Sequence, residues 1–279
     1  MGAAIIGGLI SAGYSPKNII VSEPDAHARS KLEATFGVLT TADNSAAVAF
    51  STASTTSGDQ GADLVMLAVK PQIMKDVATG VSAAVLQHKP VVVTIAAGIV
   101  LSDLDKWLRS SSSDSSSAPS LVRCMPNTPA LVSEGAAGLY ATAATTAPQK
   151  QLAASVLSAV SKALYWVDSE HLLDVVTGVS GSGPAYFFLI VEAMANAGKE
   201  LGLPYDVAYG LARQTCLGAG RMMVSTGEDP AELRRKVTSP NGTTHAAVVS
   251  LEASGVREAV REAVVKATER SEEMGKLFA

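Results

Sequence analysis

The sequence has little cysteine: Cys124 and Cys216 are the only two in 279 residues and lie far apart. That excludes a disulfide framework and any paired-thiolate metal spacing, and it fits a reducing compartment. Neither charge sign is in excess. The 22 Lys and Arg against 26 Asp and Glu leave a net charge of −4, scattered over both halves, so no basic face points to nucleic acid or to an anionic membrane. A long unbroken apolar run is also missing. The stretch from Val175 to Val191 is interrupted by Gly178, Gly181, Gly183 and Pro184 and falls short of the roughly 20 residues a bilayer span needs. The apolar start lacks a basic segment ahead of it, which argues against a signal peptide or membrane helix. These exclusions lead to the expectation of a cytoplasmic protein with a small-molecule or protein partner and no metal. One further absence is local: "MGAAIIGGLISAGY" (Met1 to Tyr14) reads as an amphipathic helix with neither strand nor loop before it.

What is present is globular in composition, 47% hydrophobic and 17% charged, and long enough for one large or two smaller domains. Short β-branched runs, "NIIVS" (Asn18 to Ser22), "DLVMLAV" (Asp63 to Val69), "PVVVTIA" (Pro90 to Ala96) and "SLVRCM" (Ser120 to Met125), have the uniform apolarity of strands buried on both faces of a parallel sheet. Helical spacing recurs between them over Asp25 to Phe36, Gln72 to Gln87 and Ser102 to Leu108, the last with Ser102 as N-cap. Alternation of this kind predicts a doubly wound α/β domain. "GLYAT" and "ALYWVD", flanking a helix from about Pro148 to Val160, extend its sheet.

Beyond Asp168 no strand-like run follows. Apolar residues recur at three- and four-residue spacing over Pro184 to Leu201, Tyr205 to Val224 and His245 to Glu269, so residues 169–279 read as an all-helical domain after an α/β domain of residues 1–168. The helices carry more Ala, Val and Leu than so small a unit can bury, which predicts packing against a second copy. Two polar stretches without periodicity, Ser51 to Gly61 and Ser110 to Ser120, read as flexible surface loops.

Three features bear on chemistry. A glycine before an Ala-rich helix, a β-branched run and then an acidic residue form the second half of a dinucleotide-binding βαβ unit, with Gly2 at the pyrophosphate and Glu23, roughly 20 residues on, at the ribose. The alternative is that Glu23 merely ends a strand. In "SPNGTTHAAVVSLEASG" (Ser239 to Gly255) a tight turn opens a helix whose first N–H groups can cradle a carboxylate, or else Thr243 is an ordinary cap. Gly178, Gly181 and Gly183 precede a long apolar helix and permit either close helix packing or close approach of a ligand.

"AVKPQ" (Ala68 to Gln72), "TIAAGI" (Thr94 to Ile99), "RCMPNTPALVSEGA" (Arg123 to Ala136), "VTGVSGSGPAYFF" (Val176 to Phe188) and "LRRKVTSPNGTTHAAV" (Leu233 to Val248) together resemble Δ1-pyrroline-5-carboxylate reductase in order and spacing. The resemblance implies a Rossmann-type, mostly parallel sheet followed by a helical dimerisation domain, and reduction of a cyclic imino acid to L-proline by NADPH or NADH. It places Gly2, Ser22, Glu23 and Asn44 toward the pyrophosphate and adenosine end, and Ala68, Val69, Lys70 and Pro71 along the cofactor. Ala96, Ala97 and Asn127 fall at the nicotinamide end. The turn formed by Ser239, Asn241, Gly242, Thr243 and Thr244 would hold the substrate carboxylate, with the Thr244 hydroxyl as the catalytic donor to the ring nitrogen.

Three positions depart from the family pattern. Asn241 replaces a glycine but tolerates positive φ; His245 replaces an aliphatic residue and reads as a partly exposed helix position; Glu23 would repel a 2′-phosphate and so tilts the cofactor toward NADH. The related β-hydroxyacid dehydrogenases place a catalytic lysine four residues after the last glycine, where this chain has Phe187. Met1 and Gly2 look like the last two positions of a dinucleotide-binding glycine loop, which predicts about ten residues upstream carrying a first strand and two glycines. Without it, the alternative is a non-catalytic helical-dimer scaffold. A reductase of another cyclic imine is a further alternative.

Overall fold

The computed structural model describes residues 1–51, 61–111 and 118–277, so the two polar stretches read as loops fall largely outside the described residues. The chain forms two compact units. One comprises Met1–Gly181 together with the end of the last helix from Ala267, and the other comprises Ser182–Lys266.

In the first unit, α1 (Gly2–Ser11) leads through a 3₁₀ turn to β1 (Ile20–Ser22), α2 (Ala26–Phe36), β2 (Leu39–Thr41) and α3 (Asn44–Val48). Then come β3 (Leu64–Leu67), α4 (Pro71–His88), β4 (Val91–Thr94), α5 (Leu101–Leu108), β5 (Ser120–Met125), β6 (Gly135–Ala141), α6 (Ala147–Ser158), β7 (Ser161–Trp166) and α7 (Leu172–Val176). β1 and β2 pair in parallel as a ribbon of their own, while β3-β4-β5-β6-β7 form one sheet, parallel except at β5–β6. Val91, Val92 and Val93 have no exposed surface, as a strand covered on both faces requires. One face of the sheet packs Met74, Ala78, Val81 and Val85 of α4 with Leu104 and Leu108 of α5, and α1 enters the other side through Ile5 and Leu9 against Val156 and Val160. Each fully buried aliphatic side chain contributes about 1.5–3 kcal/mol. α1 can sit this low because Gly8 has no side chain: a Cβ there would lie 2.7 Å from the carbonyl oxygen of Ala159.

Local chemistry sets the boundaries. Asp25 caps α2, accepting from the N–H of His27, and Gly37 ends it in the left-handed region at φ 68°. Asp43 caps α3, and Thr146 with Gln149 forms a reciprocal capping box at α6. Two expectations are corrected. The N-cap of α5 is Val100, which has no side-chain acceptor, and Ser102 lies inside the helix. The glycines between Val175 and Val191 do not interrupt the helix. They are absorbed in a π-helical turn, Thr177–Gly181, and in the start of α8 (Gly183–Glu200), so that Leu172–Glu200 is continuous over 29 residues. By length and composition this segment is long and apolar enough to cross a bilayer, so the length argument against a span does not hold.

The second unit contains α8, α9 (Tyr205–Thr226), α10 (Pro230–Lys236), α11 (Thr243–Ala253) and the greater part of α12 (Val256–Leu277). α8 and α9 lie against each other where Gly198 leaves room for Ala208, whose Cβ would be 3.0 Å from a Cβ on Gly198. The apolar spacing expected to form one helix from His245 to Glu269 is divided at Gly255, φ 74°. Within a single chain, α8 exposes Phe187, Phe188, Leu189, Ile190 and Met194, and α9 exposes Leu211, Leu217 and Met222.

Candidate functional site

In a parallel sheet the loops after the strands gather at one edge, where open α/β folds bind their ligands. The loops after β3, β4 and β5 carry Ala68 to Lys70, Ala96, Ala97 and Asn127 among the residues singled out from the sequence. α1 begins at Gly2, and its first N–H groups have no partner within the helix; the first i→i−4 bond runs from Ile5 N–H to the Met1 carbonyl. A Cβ built on Gly2 would lie 3.5 Å from the Cβ of Ala68, so the start of α1 and the loop after β3 are neighbours. Val69 packs on the core, Lys70 is the N-cap of α4, and Pro71 occupies its first position. A helix N-terminus beside an apolar loop is suited to a pyrophosphate.

The end of β1 carries the second group. The Ser22 hydroxyl donates to Asn44 Oδ1 at 2.7 Å, which joins the ends of β1 and α3. The Glu23 N–H donates to the Thr41 carbonyl, and Glu23 Oε1 accepts from the Asp25 N–H at 3.1 Å. Arg29 turns its Nη1 to the carbonyls of Glu23 and Pro24 at 2.7 and 2.9 Å. Hydroxyl and amide are thus bonded between the end of β1 and the start of α3, while the Glu23 carboxylate is turned to the backbone of its own turn.

The third group follows β4 and β5. The loop Ile95–Val100 turns at Gly98, φ 77°, and the Ala96 N–H donates to the Thr94 hydroxyl oxygen at 3.3 Å. Asn127 is buried, with its side chain committed in both directions: Nδ2 donates to the Ser180 carbonyl at 3.1 Å, and Oδ1 accepts from the Ala136 N–H at 2.9 Å. The structure thus brings Gly2 beside Ala68 and Ser22 to Asn44, while Glu23 is bonded within its own turn and Ala96 to Thr94. Cys124, one strand position from Met125, is fully buried, and burial pushes its thiol up to about 12, so it is neutral and inert at physiological pH.

The second unit holds Ser239, Asn241, Gly242, Thr243 and Thr244 in one turn. Asn241 takes φ 60°, as its tolerance of the left-handed region allows. Gly242 is the N-cap of α11, donating to the Ser239 carbonyl at 3.1 Å, and a Cβ on it would lie 2.5 Å from Ser239 Oγ. Because the cap is glycine, no side chain occupies the N-terminus of α11. Thr243 and His245 are exposed and Thr244 is half-buried. The arrangement offers convergent N–H groups with a hydroxyl beside them. Among the described residues no cluster of three His, Cys, Asp or Glu side chains could hold a metal.

Sequence reading passed over β2 and α3, each too short to show periodicity, although Asp43 followed by Asn44 and Ser45 is a capping signal. Glu170 also escaped it. Its partner Arg123, a lone charge inside an apolar strand, was the available clue.

A parallel sheet with a glycine-led helix terminus, a ribose-type strand end and a separate helical unit defines a nicotinamide-dinucleotide oxidoreductase of the Rossmann type. The family model described as NADP oxidoreductase, coenzyme F420-dependent, matches residues 1–98, and that described as pyrroline-5-carboxylate reductase dimerisation matches residues 170–274. The pyrroline-5-carboxylate reductase of Pseudomonas aeruginosa is 45% identical over 98% of this chain and 93% of its own length, and that of a Synechocystis species is 38% identical over 99% and 95%. A solved pyrroline-5-carboxylate reductase from Coxiella burnetii superposes with a TM-score of 0.87 at 37% identity, covering 98% of this chain and 94% of that one. The chain belongs to the pyrroline-5-carboxylate reductase family. Its α8–α12 region is accordingly a dimerisation region, which accounts for the exposed apolar faces of α8 and α9.

Proposed function

We propose that the chain reduces Δ1-pyrroline-5-carboxylate to L-proline in the cytoplasm, as a homodimer joined through its helical region, with NADH or NADPH as reductant. The observation that carries the reading is the turn Ser239–Thr244: a glycine-capped helix terminus, open to an anion, with a threonine hydroxyl one position into the helix.

The N–H groups of Thr243, Thr244 and His245 bind the substrate carboxylate and fix the ring. The Thr244 hydroxyl donates a hydrogen bond to the imine nitrogen, which draws electron density from the adjacent carbon and accommodates the proton that the nitrogen gains. The nicotinamide, when bound, supplies hydride to that carbon. Imine, NAD(P)H and one proton thereby become proline and NAD(P)⁺. Along the cofactor edge, Gly2, Ala68, Val69, Lys70 and Pro71 would hold the pyrophosphate stretch, Ser22, Glu23 and Asn44 the adenosine ribose, and Ala96, Ala97 and Asn127 the nicotinamide end. No covalent intermediate is needed; alignment of two bound partners supplies several kcal/mol of barrier reduction. Glu23 favours NADH, because its carboxylate accepts from a free 2′-hydroxyl and repels a 2′-phosphate, while Arg29 turns its Nη1 to the Glu23 and Pro24 carbonyls.

The test is a proline-forming assay with both cofactors, run beside 1-pyrroline, which lacks the carboxylate, and beside the six-membered ring. Turnover with a KM for 1-pyrroline at least about 100-fold higher is expected. A preference for the six-membered ring, or indifference to the carboxylate, overturns the reading.

A further inference from the structure

Among the described residues Arg123 is the most deeply buried charged side chain, and the reading of the reaction gives it no part. It lies on β5 between two carboxylates. Its Nη1 donates to Glu170 Oε1 at 3.1 Å, and its Nη2 to Asp174 Oδ1 at 3.4 Å. Asp174 Oδ1 also accepts from the Ser271 hydroxyl at 2.7 Å, which fastens the end of α12 to α7.

Glu170 does something a structural ion pair does not require. Its Oε1 also accepts from the N–H of Leu101 at 2.8 Å. Leu101 is the first residue of α5, whose N-cap is Val100 and has no side chain able to accept that bond. A carboxylate at a helix N-terminus is electrostatically favoured, and this one comes from 69 residues away in sequence. The loop Ile95–Val100 is consequently held at both ends, by the Thr94 hydroxyl on its Ala96 N–H and by Glu170 where it becomes α5. α12 also approaches its turn: a Cβ on Gly275 would lie 3.8 Å from the Gly98 carbonyl oxygen.

We infer that Glu170 is a positioning residue for cofactor binding: with Arg123 holding its carboxylate, it fixes the Ala96–Gly98 loop by capping α5. This rests on the reading that the loop after β4 faces the nicotinamide. Its function is one of reach, an acceptor oxygen delivered to Leu101, and only secondarily one of charge.

The full-length enzyme tests this through dissociation constants for NADH and NADPH, titrated by nicotinamide fluorescence without imine, together with the imine KM at saturating cofactor. Glu170→Ala should weaken cofactor binding about tenfold and leave the imine KM within twofold. Glu170→Gln, which keeps an oxygen for Leu101, should bind within threefold of the parent. Ser271→Ala breaks the same cluster away from Leu101; it should lower the melting temperature and leave cofactor binding within twofold. Unchanged binding in Glu170→Ala overturns the inference, as does equal weakening in Glu170→Gln or Ser271→Ala. If Glu170→Ala does not fold, Glu170→Asp decides: it keeps the charge but withdraws the oxygen, so weaker binding than in Glu170→Gln supports the inference and the reverse order overturns it. A parent chain that binds cofactor but forms no proline overturns the proposed reaction while leaving the Glu170 comparison readable. One that binds neither cofactor overturns both.

Discussion

Asn127 and Ser180 are joined across 53 residues of sequence by a hydrogen bond from the buried carboxamide to the Ser180 carbonyl, 3.1 Å long, inside the π-helical turn. A π turn shifts the helical bonding pattern, and Asn127 supplies a donor to one of its carbonyls while holding the Ala136 N–H with its oxygen. Asn127→Asp keeps the acceptor but faces an oxygen with an oxygen. Stability should fall by about 2 kcal/mol at pH 7 in urea titrations. The loss should shrink near pH 4, where a protonated carboxyl donates again.

Thr244→Val should lower kcat/KM for the imine about 100-fold with cofactor binding unchanged, as for loss of one donor to a developing charge. Thr244→Ser should recover most of the activity. Equal activity in the valine variant would remove the hydroxyl from the mechanism.

A Cβ on Gly242 would meet Ser239 Oγ at 2.5 Å and the Ser239 carbonyl oxygen at 3.2 Å. Gly242→Ala should therefore raise the imine KM at least tenfold. Ser239→Ala in the same chain removes the closer contact and should recover part of the loss. A thermal melt separates this from unfolding.

Glu23→Ser should shift the ratio of NADPH to NADH affinity toward NADPH by about tenfold, the equivalent of about 1.4 kcal/mol of repulsion relieved near the 2′-phosphate. Isothermal titration with both nucleotides reads this directly.

Cys124 should resist alkylation in a folded Cys216→Ser variant at pH 8 and react once urea unfolds it. The buried thiol keeps its proton to about pH 12, whereas an unfolded cysteine ionises near pH 9. Below pH 9 both states are neutral and the group contributes no pH dependence. Between about pH 9 and 12 the unfolded chain loses the proton first, so stability falls as pH rises, by up to about 1.4 kcal/mol per unit.

Much of this was legible in the sequence because period and burial coincide. Val91–Val93 are apolar on both faces and lie at the centre of a parallel sheet, and Ser120–Met125 is a strand with the bounds its composition suggested. The π turn was not legible: glycines that would end an isolated helix are tolerated here, where Asn127 reaches a carbonyl of the turn. Nor was the cap of α5, since Ser102 has the right chemistry at a position the backbone had already made helical, and the real acceptor comes from Glu170. Of the proposed site, the fold joins Ser22 to Asn44, a pairing between a strand end and a helix start that spacing alone does not give, and the committed side chain of Asn127 could be seen only in the fold.

The first unit takes its last piece from the far end of the chain, with Ser271 closing on Asp174. A ribosome therefore releases most of the sheet long before the helix that completes it, with the whole second unit made in between. Domains tend to settle as they emerge, N-terminal first, yet this one is discontinuous and stays unfinished until the segment from Ala267 onward has been made. During that interval Arg123 and its carboxylates lack their final hydroxyl, so chains stalled before Ser271 should be the ones most exposed to chaperones and proteases.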